Sequence, residues 1–142
     1  MGIVKPAAAL GAAALLVVGM AACSGGDTTA QGSSSPTTTV EAFMHALGNQ
    51  DASAACSQVS TGGKALVGDA FAQCKVGLES VLGDITDPAD LTRLKTAKVT
   101  GAQVDGDKAT VTKSQISNVP SGYENDIDLV RLDGTWYIDS KP

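Results

Sequence analysis

The sequence predicts an α+β domain in which three helices precede a curved antiparallel sheet of four strands. Two observations carry this. Apolar residues recur at helical spacing from Val40 to about Leu82. After Asp87-Pro88 the chain turns to short runs of Val, Thr, Ile and Tyr separated by turn residues. At 142 residues, one such domain is the natural count.

The chain opens with Met1 to Pro6, which carry one cation, Lys5, and continues into an unbroken run of Ala, Leu, Val, Gly and Met from Ala7 to Met20. At about 1.5 Å per residue this run makes roughly 21 Å of helix, short of the ~30 Å hydrocarbon core of a bilayer. That length suits an export signal and not a membrane span. Ala21 and Ala22 then precede Cys23, after which the chain turns abruptly polar at Ser24-Gly25-Gly26-Asp27. The stretch Met20-Ala21-Ala22-Cys23 resembles the lipobox of a bacterial lipoprotein signal, with Met in place of the usual Leu. The resemblance implies cleavage before Cys23 and acylation of its thiol and amine by palmitate-type chains. It also implies a protein anchored by lipid on the extracytoplasmic face of the cell membrane. Two or three acyl chains hold a protein on a membrane stably where one does not. A plain secretory signal cleaved after Ala22 is the alternative. N-myristoylation at Met1-Gly2 is rejected, because Pro6 stands where that motif needs Ser or Thr.

The division that follows is 1–22 signal peptide, 23–39 lipid-anchored tether and 40–142 folded domain. Ser24 to Thr39 contains no large apolar residue, so it is expected to be disordered. As a Gly/Ser-like coil of sixteen residues it would stand the domain off by roughly 20–24 Å.

Val40, Phe43, Met44 and Leu47 form one helical stripe, opened by the cap chemistry of Thr37-Thr38-Thr39 with Glu41 and closed by Gly48-Asn49. Asp51 caps a short second helix whose face carries Ala52, Ala55, Cys56 and Val59. Thr61-Gly62-Gly63 breaks it. A third helix from about Lys64 to Leu82 has the stripe Leu66, Ala70, Phe71, Cys74, Leu78, Val81 and Leu82. With Cys23 acylated, two cysteines remain, and their number, their apolar helix faces and an oxidising compartment predict a Cys56–Cys74 disulfide. Two buried free thiols are the alternative.

Four strands are expected next: Leu94 to Val104 with a bulge at Gly101, Lys108 to Ser117, Glu124 to Leu132, and Thr135 to Ser140. The two-residue turn Asp133-Gly134 fixes the last register. It pairs Leu132 with Thr135, Arg131 with Trp136, Val130 with Tyr137 and Leu129 with Ile138. Ile127, Leu129, Arg131, Trp136 and Ile138 then share the core face, with the Arg131 guanidinium over the Trp136 indole. Val130, Leu132 and Tyr137 line the other face.

Three stretches carry a resemblance. They are Val40-Glu41-Ala42-Phe43-Met44-His45-Ala46-Leu47, the helix-borne pair Cys56 and Cys74, and the ending Leu129-Val130-Arg131-Leu132-Asp133-Gly134-Thr135-Trp136-Tyr137-Ile138-Asp139. Together they resemble small NTF2-like (cystatin-like α+β cone) lipoprotein domains over about residues 36–142. The resemblance implies helices packed on the concave side of the sheet around a cone-shaped cavity. Fold alone does not choose an activity.

A net charge of -5, and -6 once the first 22 residues are removed, argues against nucleic-acid binding. With a lone His45 and no CxxC spacing, neither a metal site nor a catalytic cysteine is expected, and no cofactor. His45 and Glu41 read as a solvated pair on one helix turn. The expected function is non-catalytic: binding of a small apolar ligand in the cone, with Arg131 and Trp136 as candidate contacts, or of an envelope protein. One alternative is a homodimer through the outer sheet face of Val130, Leu132 and Tyr137. The other is a proton-transfer enzyme using Asp126, Asp128 or Asp139 with Tyr123 or Tyr137.

Overall fold

The structure is a computed structural model that describes residues 29–141. The expected signal peptide, Cys23 and the first part of the tether lie outside the described residues.

Helix α1 spans Pro36–Gly48. It begins four residues before Val40, because the cap is Ser35 and not the threonine run. The Ser35 hydroxyl accepts from the Thr38 amide at 3.2 Å, and Pro36 occupies the first turn, where its missing N–H is no loss. Asp51 accepts from the Ala54 amide at 2.9 Å and caps α2, Ala52–Cys56. Helix α3 spans Gly68–Asp84. Helix α4, Pro88–Lys95, occupies ground where the sequence suggested the start of a strand. Asp87 caps it through the Ala89 amide at 2.8 Å, Pro88 follows the cap, and Arg93 and Lys95 complement the dipole of its last turn.

The sheet is also larger than expected. Six strands form a mixed sheet, not a four-stranded antiparallel one, in the order β2 (Lys64–Ala65), β1 (Val59–Thr61), β8 (Thr135–Ser140), β7 (Ile127–Leu132), β5 (Lys108–Val111) and β4 (Gln103–Asp105). Strand β1, Val59–Thr61, lies parallel to β8, Thr135–Ser140, and turns through Gly62-Gly63 into β2, Lys64–Ala65. These residues were expected to end one helix and begin another. Strand β4, Gln103–Asp105, pairs with β5, Lys108–Val111, and β5 pairs with β7, Ile127–Leu132. The second expected strand, Lys108 to Ser117, is interrupted after Val111. A capped 3-10 turn at Lys113–Gln115 leads to β6, Ile116–Ser117, which pairs with β3, Lys98–Val99, in a separate two-stranded ribbon. Gly101 therefore sits between β3 and β4 and makes no bulge. The β7–β8 hairpin has the predicted register throughout.

The pleat sends Trp136 and Tyr137 to opposite faces of β8, and each enters its own core cluster. Around Trp136 the buried set is Val40 and Met44 of α1, Leu94 of α4, and Val111, Ile127 and Leu129 of the sheet, among others. Around Tyr137 it is Ala30, Cys56, Val59, Leu66 and Phe71. Helices α1 and α4 cross closely at Gly48. A Cβ there would lie 2.5 Å from the Lys95 nitrogen and 2.9 Å from the Leu91 carbonyl oxygen.

Residues 29–35, assigned by the sequence to the disordered tether, are docked on the domain as a strap. The amides of Ala30, Gln31 and Gly32 donate to Leu66 and Ser57 carbonyls at 2.8 Å. Ser33 and Trp136 exchange backbone bonds at 3.0 and 2.8 Å. A side chain on Gly32 would fall against the Trp136 carbonyl, with Thr135 Cγ2 at 2.6 Å and the Tyr137 ring at 2.8 Å. Apolar content alone misjudges this segment, since its ordering comes from backbone pairing and a close glycine fit.

Candidate functional site

The interior that the fold was expected to keep open is filled by its own side chains. Val40 and Val111 are fully buried, Met44 and Leu129 are within 2% of it, and Trp136 is 5% exposed. The wall that would line a cone cavity is thus packed directly against α1. Every buried side-chain nitrogen and oxygen among the described residues has a hydrogen-bond partner. Buried Thr39, for example, donates to the Ser35 carbonyl at 2.8 Å.

Arg131 and Trp136 come together as the register requires, with the guanidinium carbon 5.4 Å from the indole centroid. Arg131 is not inside the core, however. It lies at the exposed end of β7, and its Nε and Nη2 both donate to Asp107 Oδ1 at 2.8 Å. Asp107 belongs to the β4–β5 turn, and its carbonyl also accepts from the Arg131 amide at 2.7 Å. The cation is thereby committed to an ion pair across the sheet. Its partner Trp136 is sealed beneath it.

Of the acidic candidates, Asp126 stands apart, while Asp128 and Asp139 line one cleft of about 180 Å³ together with Lys108 and Lys141. Asp126 is exposed and accepts from the Lys113 amide at 2.7 Å, while Lys113 pairs through its ammonium with Glu124. Asp128 sits opposite Thr110 and accepts from its hydroxyl at 3.0 Å and from Lys141 Nζ at 2.9 Å. The bond from Lys141, then that from Thr110, holds the Asp128 carboxyl below its ordinary range. A general base would need the opposite shift. Burial, with Asp126 adding to it, pushes the Tyr123 phenol up, and burial with Asp133 does the same to Tyr137. Both phenols therefore keep their protons, as a hydrogen-bond donor must.

His45 and Glu41 do not pair with each other in solvent. His45 Nε2 donates to the Ala97 carbonyl at 2.9 Å, and Glu41 Oε1 accepts from the Val99 amide at 2.9 Å. Both side chains staple α1 to the segment leading into the two-stranded ribbon. No helical periodicity could have revealed that contact, because its partners lie more than fifty residues away.

Cys56 and Cys74 form a disulfide, joining α2 to α3. Such a bond fits an oxidising, extracytoplasmic compartment. Among the described residues no helix is long and apolar enough to cross a membrane, and no three His, Cys, Asp or Glu side chains form a metal-ligating group.

The face of Val130, Leu132 and Tyr137 is not a free apolar surface either. Tyr137 is 8% exposed, covered by the strap and by the cluster that contains Phe71. Among the described residues the surface carries open grooves whose walls mix polar and apolar side chains. One of about 550 Å³ runs between the β1–β2 and β7–β8 turns, past Lys64, Arg131, Asp133 and Thr135. Another of about 450 Å³ lies over the β4–β5 hairpin. No protein-family model matches the chain, and no curated protein or solved structure is significantly similar to it.

Proposed function

We propose that the protein is an extracytoplasmic lipoprotein, acylated at Cys23, whose NTF2-like domain is non-catalytic and recognises a protein partner of the cell envelope by its surface. The observation that carries the choice of a protein over a small apolar ligand is the filled interior. A pocket for an apolar ligand is concave and lined by apolar side chains with space between them. Here those side chains, Val40, Met44, Leu129 and Trp136, occupy the space themselves. The NTF2-like assignment draws support from α1 lying across β5 and β8, with β1 and β2 as additions at one edge. The exposure of Asp126 and the Lys141 and Thr110 bonds that hold Asp128 as a carboxylate support a non-catalytic role.

The anchor reading draws on the lipobox-like stretch and on the disulfide, which suits an exported chain. Native mass spectrometry of the protein isolated from membranes tests both halves. The expected species is the unliganded chain, beginning at an acylated Cys23. A co-purifying apolar small molecule in stoichiometric amount would overturn the surface reading. A product that begins at Met1 would overturn the lipoprotein reading.

A further inference from the structure

The strap shortens the path between anchor and domain, and from this we propose that the domain rests with its β2 edge against the lipid bilayer, Val67 at the contact. The proposal builds on the lipoprotein reading given above. Were the whole stretch from Ser24 to Thr39 free, the domain could stand roughly 20–24 Å away and turn at will. Instead Thr29 is already fixed, bridged antiparallel to Val67. Only Ser24 to Thr28 separate it from Cys23. Six residue steps span at most about 20–22 Å, whatever their conformation.

The strap will not readily yield that length back. Its five backbone hydrogen bonds to Leu66, Ser57 and Trp136 and the close seat of Gly32 hold it on the domain. Val67, two residues past the end of β2, is 56% exposed, an apolar side chain bridged to Thr29 at the start of the strap. Exposed Lys64 lies on the same edge strand. At the opposite edge, β4 carries Val104, five strand spacings away or about 24 Å across the sheet. The bilayer therefore covers one edge and leaves the β4 edge toward the surroundings.

The test uses the full lipidated chain in phosphatidylcholine nanodiscs doped with a gadolinium-chelating headgroup lipid. Backbone amide broadening is read at Lys64, Val67 and Val104. The expected result is broadening several-fold stronger at Lys64 and Val67 than at Val104. A second variant inserts ten Gly/Ser residues between Gly26 and Asp27, lengthening the stretch between Cys23 and Thr29, and is expected to reduce that contrast. Equal broadening at the two edges of a nanodisc-bound chain overturns the proposal while leaving the anchor intact. An undiminished contrast in the lengthened variant overturns the short tether as its cause. A chain with unmodified Cys23 that elutes apart from the nanodiscs overturns the anchor and the proposal together.

Discussion

Asp128 illustrates how a single carboxylate can look catalytic in sequence and prove structural. The ionised form gains bonds from Lys141 and Thr110, so its folded pKa lies below the unfolded one. The stabilisation is complete above the unfolded value and is lost as pH falls through the folded one. Because the Asp128 side chain is 46% exposed and that of Lys141 more so, solvent screens the pair and its contribution is small. Asp128→Asn should therefore lower stability slightly at pH 7, by an amount that shrinks as the pH falls through the folded-state pKa, as a series of denaturant titrations from neutral into acid would show. A deficit constant across the series would assign the effect to packing. Gly48 makes the opposite kind of residue-level claim, where atoms have no room. Gly48→Ala places a methyl against the α4 backbone, which a backbone atom cannot evade as a flexible side chain could. The expected loss is about 1–3 kcal/mol in chemical denaturation, despite the better helix propensity of Ala. An unchanged midpoint would mean that α1 and α4 separate freely.

Helix α3 is the element least supported by its own packing. Of its seventeen residues only Phe71 and Leu82 are buried, its cap Val67 offers no side-chain hydrogen bond, and Val76 and Val81 are exposed. The Cys56–Cys74 bond, eighteen residues apart, compensates by tying the helix to α2. Replacing both cysteines with Ala should cost roughly 3 kcal/mol from loop-closure entropy alone. Hydrogen exchange should then show α3 amides exchanging early while the β7–β8 hairpin stays protected; uniform loss of protection would refute that localisation. The two elements also differ in how well the sequence disclosed them. The hairpin was fully legible, because a two-residue turn dictates its pairing. The disulfide followed from counting cysteines in an exported chain. Strands β1 and β2 were not legible, since two or three residues show no period and Thr61-Gly62-Gly63 reads equally as a helix breaker. Helix α4 did carry a signal, Asp87-Pro88 with Leu91 and Leu94 three apart, but the strand-like composition downstream outweighed it. The candidate site fared worse. Arg131 beside Trp136 was predictable from register, whereas the Asp107 carboxylate that occupies the cation depends on how the β4–β5 turn folds back over β7.

At the scale of the molecule, two core clusters share one sheet, and the strap bridges both by pairing with Trp136 and covering Tyr137. The folded unit therefore includes the residues from Thr29 onward and does not begin at Val40. A fragment covering 40–142 would lose the Ser35 cap, the first turn of α1, and five backbone bonds made by the strap. At ~1 kcal/mol net for each bond, and before any cost for uncovering Leu66 and Tyr137, the loss is about 5 kcal/mol. That approaches the whole stability of a small domain, ~5–15 kcal/mol. Fragments 29–142 and 40–142 should thus part company in thermal unfolding. The longer is expected to melt in one cooperative transition, and the shorter to melt far lower or to lack a transition at all. Coincident melting curves would show that the strap adds nothing to the fold and only rests on it. They would also remove the reason to think that the domain is held close to its anchor, because a strap that costs nothing to release is spare tether.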